Sequence, residues 1–220
     1  MYAGIRDGIQ RAVYKIVDGP IRLAVRVGVT PNVITTLGLL GNIVAAALFV
    51  AAAHEAEPCG MMGWGGAVIL LASTMDMVDG RMARLCGMSS VFGAFYDSVL
   101  DRYCELFTLF GIAYMFFATG HDVFALATLL SAMGSVMVSY VRARAEGLGV
   151  ECKVGLMQRP ERVVLTSVGA VLCGCLHDCV EFDALWFVAG AQMVIAVLAN
   201  LTAVYRIWVV RIDLSQRNAR

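Results

Sequence analysis

The sequence predicts an all-α integral membrane protein, with six transmembrane helices behind an N-terminal amphipathic interfacial helix. Three observations carry this. Of 220 residues, 60% are apolar and only 15% charged, with a mean hydropathy of +0.76, whereas a soluble domain carries about 25% charge. The apolar residues gather into runs suited to a bilayer core of about 30 Å, which takes roughly 20 residues of helix. The basic residues avoid alternate connections between those runs. Such a composition excludes a disordered chain and a nucleic-acid binder, and a net charge of zero points to no charged partner. The whole chain, 1–220, reads as one domain, with the six-helix bundle over 33–210.

In residues 2–18, Ile5, Ile9, Val13, Ile16 and Val17 recur at helical spacing, while Arg6, Arg11 and Lys15 take the other face. This pattern predicts a helix lying in the membrane interface over residues 1–20 and ending at Gly19-Pro20. The apolar runs then place spans at Val33–Ala53, Met62–Met75, Ser90–Ala118, Val123–Val141, Val163–Leu176 and Leu185–Val210. The second and fifth are short, and each is expected to borrow a turn from its flanks.

None of the 17 basic residues falls in 54–61, 119–122 or 177–184, which instead hold His54, Glu55, Glu57, His121, Asp122, His177, Asp178, Glu181 and Asp183. By the positive-inside rule both termini face the cytoplasm. Seven cysteines are scattered, and Cys173, Cys175 and Cys179 crowd with His177 at the outer end of the fifth span. A metal clip, a disulfide and plain small apolar packing are all open for that group.

The costly residues lie at the inner ends of the second and third spans. Asp76 and Asp79 are spaced i, i+3, and Asp97 and Asp101 i, i+4, so each pair shares a helix face. An Asp at the centre of a membrane helix costs about 2.5–3.5 kcal/mol. With 80–89 as a short connection, an antiparallel hairpin would bring four carboxylates together. Cations must then relieve their repulsion, and all-oxygen ligands favour Mg²⁺ or Mn²⁺. Two such ions suit phosphoryl chemistry. Gly80 permits close approach of a ligand, Ala83 leaves room, Arg84 offers a phosphate fork, and Gly93 allows tight packing. Acids resting in the headgroup layer, and an ion-coupled transporter, are the competing explanations.

Written out, the segment is Asp76-x2-Asp79-Gly80-x2-Ala83-Arg84-x8-Gly93-x3-Asp97-x3-Asp101. It is similar to the signature of the CDP-alcohol phosphotransferase family at every defined position. The resemblance implies that an alcohol attacks the β-phosphorus of a CDP-linked lipid and releases CMP. It implies two divalent ions held by Asp76, Asp79, Asp97 and Asp101, with Asp101 also taking the alcohol's proton. It implies a CDP-diacylglycerol site built from Thr30, Pro31, Asn32, Val33, Gly80, Ala83, Arg84, Ser90 and Gly93; Asn32 is also a good helix N-cap. A homodimer in a bacterial inner membrane, with its active site at the cytoplasmic face, is implied as well.

Ser139-Tyr140-Val141-Arg142-Ala143-Arg144-Ala145-Glu146, followed by Gly155-Leu156-Met157-Gln158-Arg159-Pro160-Glu161-Arg162 and later Tyr205-Arg206, resembles the bacterial phosphatidylinositol-phosphate synthase branch. Arg142, Arg159, Arg162 and Arg206 would form a cationic pocket for an acceptor that already carries a phosphate, inositol phosphate being expected. Arg142 stands where that branch usually has Lys, and Gln158 where it has Glu, so glycerol 3-phosphate remains the alternative acceptor.

Overall fold

The computed structural model describes residues 18–218. Their long elements are all helices: α1 (Pro31–Ala52), α2 (Pro58–Leu85), α3 (Val91–Ala118), α4 (Asp122–Glu146), α5 (Arg159–Leu176) and α6 (Leu185–Asn218). A shorter helical stretch, 18–26, precedes them. Most of the expected interfacial helix lies outside the described residues. The part that is described differs from expectation: Gly19 and Pro20 lie inside helix rather than ending it. Packing explains this, because Ile21 is buried with Ile34 and Met82 in one apolar cluster.

Four helices are long and apolar enough to cross a membrane, namely α1, α2, α4 and α6, and the chain is an integral membrane protein. α3 carries Asp97, Asp101, Arg102 and Glu105 within its apolar sequence, and the 18-residue α5 opens on Arg159, Glu161 and Arg162. Those charges keep both below the same standard. α2 runs from Pro58 to Leu85, well beyond the apolar run at Met62–Met75. Consequently Asp76, Asp79, Gly80, Ala83 and Arg84 are all helical, and only 86–90 separates α2 from α3. The expected connection at 80–89 is thus half as long.

The described chain divides into two compact units. One holds residues up to Gly41 together with Leu71–Tyr103; the other holds Asn42–Leu70 with everything from Cys104 onward. In the first unit, α1 starts with Pro31 at its first helical position, where a missing N–H costs nothing. The Thr30 carbonyl accepts the N–H groups of Val33 and Ile34, so Thr30, not Asn32, occupies the capping position. Arg81 grips Asp18 with two parallel bonds, Nε to Oδ1 and Nη2 to Oδ2, each 2.8 Å. That fork fixes the 18–26 stretch to α2.

The second unit has a core of Phe49, Met62, Ile112, Met115 and Phe116, with a separate cluster of Val138, Ile195, Ala199 and Ala203. Its helices approach through glycine. A Cβ on Gly63 would lie 2.7 Å from the Gly174 Cα, and one on Gly174 would lie 2.5 Å from the Gly63 Cα. Backbone stands on both sides, so neither position accepts a side chain. At the end of α5 the cysteines do not converge: Cys173 is buried while Cys175 and Cys179 are exposed, and all are free thiols. His177 bonds through Nδ1 to the Gly174 carbonyl at 2.9 Å, serving the helix end.

Gly63→Ala or Gly174→Ala should lower thermal stability by about 1–3 kcal/mol through overpacking, whereas Gly190→Ala, where a Cβ meets nothing within 4 Å, should be near neutral. Thermal unfolding in detergent measures the difference. The hydrogen-bonded Arg81 guanidinium holds the Asp18 carboxyl below the usual carboxylate range. The protection Asp18 gives residues 18–26 should therefore be full above the unfolded carboxylate pKa of about 4. It should fade as pH falls through the lower folded value. Hydrogen exchange in wild type and Asp18→Asn, compared along a pH series, reads this directly.

Candidate active site

A cleft of about 240 Å³ opens in the first unit where α1, α2 and α3 begin or end. Seven of the nine expected donor-site residues line it: Pro31, Asn32, Gly80, Ala83, Arg84, Ser90 and Gly93. The other two do not. Thr30 serves the start of α1 through its carbonyl, and Val33 points its apolar side chain outward, 46% exposed. Thr35, Met88, Ser89 and Ala94 also line the cleft, beside Asp79 and Asp97.

Each wall has a local reason for its shape. The Ser90 hydroxyl accepts the Gly93 N–H at 2.9 Å and so caps α3. A Cβ at Gly93 would sit 3.0 Å from Ser90 Oγ and 3.4 Å from Asn32 Oδ1. Gly93 therefore packs against the start of α1 instead of tightening the α2–α3 hairpin as expected. Thr36 donates to the Asn32 carbonyl at 2.7 Å, which uses its only proton. The Tyr96 hydroxyl, 3.0 Å away, must then be the donor to Thr36. This chain of bonds ties the start of α3 to α1. Arg84 is exposed at the rim, with no ion-pair partner among the described residues.

Asp79 is 5% exposed. Thr35 Oγ1 lies 2.6 Å from its Oδ2 and 3.1 Å from the Pro31 carbonyl, so one proton is shared between them. Asp76 lies against α1 as well, because a Cβ on Gly38 would stand 3.4 Å from its Oδ1. Asp79 feels the charges of both Asp97 and Asp76. Asp101 stands one turn further along α3 and does not line the cleft. The two α2 carboxylates thus lie against α1, and Asp79 also has Asp97 of α3 as a charged neighbour. Among the described residues no three His, Cys, Asp or Glu side chains converge tightly enough to enclose an ion. The donor set nevertheless suits a hard divalent cation, since a buried carboxylate with carboxylate neighbours is costly unless positive charge is shared with it.

The four arginines of the expected acceptor pocket all belong to the second unit and behave differently. Arg162 and Arg206 are each 2% exposed. Arg162 forks onto Glu105, Nε to Oε1 at 2.6 Å and Nη2 to Oε2 at 2.9 Å. Arg206 donates from Nε to the Val154 carbonyl at 2.8 Å and from Nη1 to the Val138 carbonyl at 2.6 Å. Arg142 is 40% exposed and pairs with Glu146 one turn on, while Arg159 is half-buried. Arg206 lies near enough to Arg142 and Arg162 to be repelled by both. Two of the four guanidinium groups, those of Arg162 and Arg206, are thus enclosed and hydrogen-bonded within the fold. Glu105, Thr35 and Tyr96 were missed from sequence. For Glu105 the one available sign was its place one turn beyond Asp101 on the same face.

Residues 28–205 match the family described as CDP-alcohol phosphatidyltransferase. The chain is 32% identical over 205 residues to the phosphatidylinositol phosphate synthase of Mycobacteroides abscessus, covering 92% of this chain and 87% of that one. It is 33% identical over 184 residues to the archaetidylinositol phosphate synthase of Methanothermobacter thermautotrophicus, covering 84% of each. The crystal structure of Mycobacterium tuberculosis phosphatidylinositol phosphate synthase with CDP-DAG bound is similar at a TM-score of 0.77 and 29% identity, over 89% of this chain and 94% of that one. The same enzyme in complex with manganese and citrate is similar at a TM-score of 0.77, over 88% of each chain. On these grounds the chain belongs to the CDP-alcohol phosphatidyltransferase family.

Proposed function

We propose that this enzyme transfers a phosphatidyl group from CDP-diacylglycerol to the hydroxyl of inositol phosphate and releases CMP. One observation carries the reading: the cleft in which seven signature residues meet Asp79 and Asp97. The three named relatives, each a phosphatidylinositol or archaetidylinositol phosphate synthase by name, support the acceptor.

Asp76, Asp79, Asp97 and Asp101 would hold two Mg²⁺ or Mn²⁺ ions. Bound there, the metals supply charge neutralisation for the pyrophosphate and for departing CMP. The rest falls to the chain itself. Thr35 fixes the orientation of Asp79 through its 2.6 Å bond. Arg84 holds phosphate oxygens at the rim, where its planar fork suits them. Gly80 and Ala83 keep that wall low, and Asn32 with Ser90 closes the opposite side. Asp101 takes the proton of the attacking hydroxyl. Arg142 and Arg159 contact the acceptor's phosphate, while Arg162 and Arg206 shape the surroundings. In this reading all six long helices cross an inner bacterial membrane, the termini and the cleft face the cytoplasm, and the enzyme works as a homodimer. The absence of basic residues from 54–61, 119–122 and 177–184 supports that orientation.

Purified protein in nanodiscs, given CDP-diacylglycerol and Mg²⁺, should release CMP only when inositol phosphate is added. Asp76→Asn should lower that turnover by about 100-fold or more, as loss of a metal ligand does. Release with glycerol 3-phosphate in place of inositol phosphate would keep the chemistry and overturn the acceptor. CMP release without any alcohol, or none with either one, would contradict the reading itself.

A further inference from the structure

We propose that Glu105 is a positioning residue for the acceptor side of the reaction, acting through Arg162 on the loop 147–158. The inference rests on the reading of Arg142 and Arg159 as acceptor contacts. Arg162 has every arm in use: two on the Glu105 carboxylate and Nη1 on the Met157 carbonyl at 2.7 Å. The two side chains are only 2% and 10% exposed. A guanidinium so enclosed, with all three nitrogens bonded, is a strut. What it supports is unusual backbone. Met157 has φ of 56°, in the left-handed region that non-glycine residues seldom occupy.

The same loop is pinned at other carbonyls. Thr202 Oγ1 donates to Leu156 at 2.7 Å, Arg206 to Val154 at 2.8 Å, and Arg217 Nη2 to Gly149 at 2.9 Å. Gly155, with φ of 103°, faces Thr202 so closely that a Cβ would come within 2.4 Å of its Cγ2. The loop forms no helix of its own and takes its shape from these side chains. It leads directly into Arg159, the first residue of α5. Glu105 stands one turn beyond Asp101 on α3. Of the three carboxylates spaced one turn apart on α3, the third is thereby assigned to holding the acceptor loop.

The full-length enzyme tests this with steady-state kinetics and hydrogen exchange of residues 147–158 run side by side. Glu105→Gln and Arg162→Lys should raise the acceptor KM by about tenfold or more, as losing a charged hydrogen-bonded pair does. The donor KM should stay within about twofold, because the cleft is untouched. Amides of 147–158 should exchange faster in both variants. Glu105→Asp keeps the charge but shortens the reach, so it gives the same signs more mildly should Glu105→Gln not fold. Arg142→Ala, by contrast, should raise the acceptor KM with no change in exchange. Unchanged protection of 147–158 in the Glu105 variants, or equal rises in both KM values, would overturn the proposal. If wild type released no CMP with inositol phosphate, the functional reading would fail, and the exchange data would still decide the strut.

Discussion

A charge carried into a membrane helix must find its partner inside the protein, and that requirement organises much of this molecule. Insertion of a single Asp or Arg near mid-helix costs about 2.5–3.5 kcal/mol. Asp79 answers it with the Thr35 hydroxyl. Arg206 of α6 answers it with two carbonyls, and the buried Arg162 at the start of α5 is matched likewise by Glu105 and one carbonyl. Each solution also joins segments far apart in sequence, so neutralising the charge and fixing the fold are one event. A buried ion pair adds little net stability against an apolar replacement, yet losing one partner is severe. Such pairs specify which arrangement forms more than how strongly it forms.

These partners can reach each other only because the helices lie close. Gly63 and Gly174 bring backbone to backbone, and Gly111 places Ala46's carbonyl 2.8 Å from where a Cβ would stand. Between helices in a bilayer there is no hydrophobic drive, so close packing and internal hydrogen bonds carry the association. Polar side chains too short to span an ordinary helix–helix gap then come into range. The Thr35–Asp79 and Gln192–Thr166 bonds, at 2.6 Å and 3.0 Å, are both of this kind.

Composition and apolar runs made the helical membrane class legible, and the spacing of the signature carried seven donor-site residues into one cleft. Reading failed where direction mattered. Thr35 and Thr36 are neighbours of identical type, and sequence does not say which faces Asp79. Apolar counting stopped α2 at Met75, since the following turns are polar, although the helix continues to Leu85. The arginines were the hardest. Arg159 and Arg162 sit one turn apart, and charge alone does not say that Arg162 is the one enclosed. The group that decides, Glu105, is 57 residues from Arg162 in the chain. The cysteine group at the end of α5 looked dense in sequence, yet Cys173 turns inward while Cys175 and Cys179 face out.

The proposed chemistry depends most directly on two ions sharing the α2 and α3 carboxylates. Electron paramagnetic resonance of the full-length protein titrated with Mn²⁺ in the presence of CDP-diacylglycerol measures this. Two ions about 3.5–4 Å apart should give an exchange-coupled spectrum with a stoichiometry of two per chain, lost in Asp76→Asn. A single uncoupled ion at saturation, or a spectrum that Asp76→Asn leaves unchanged, would contradict it.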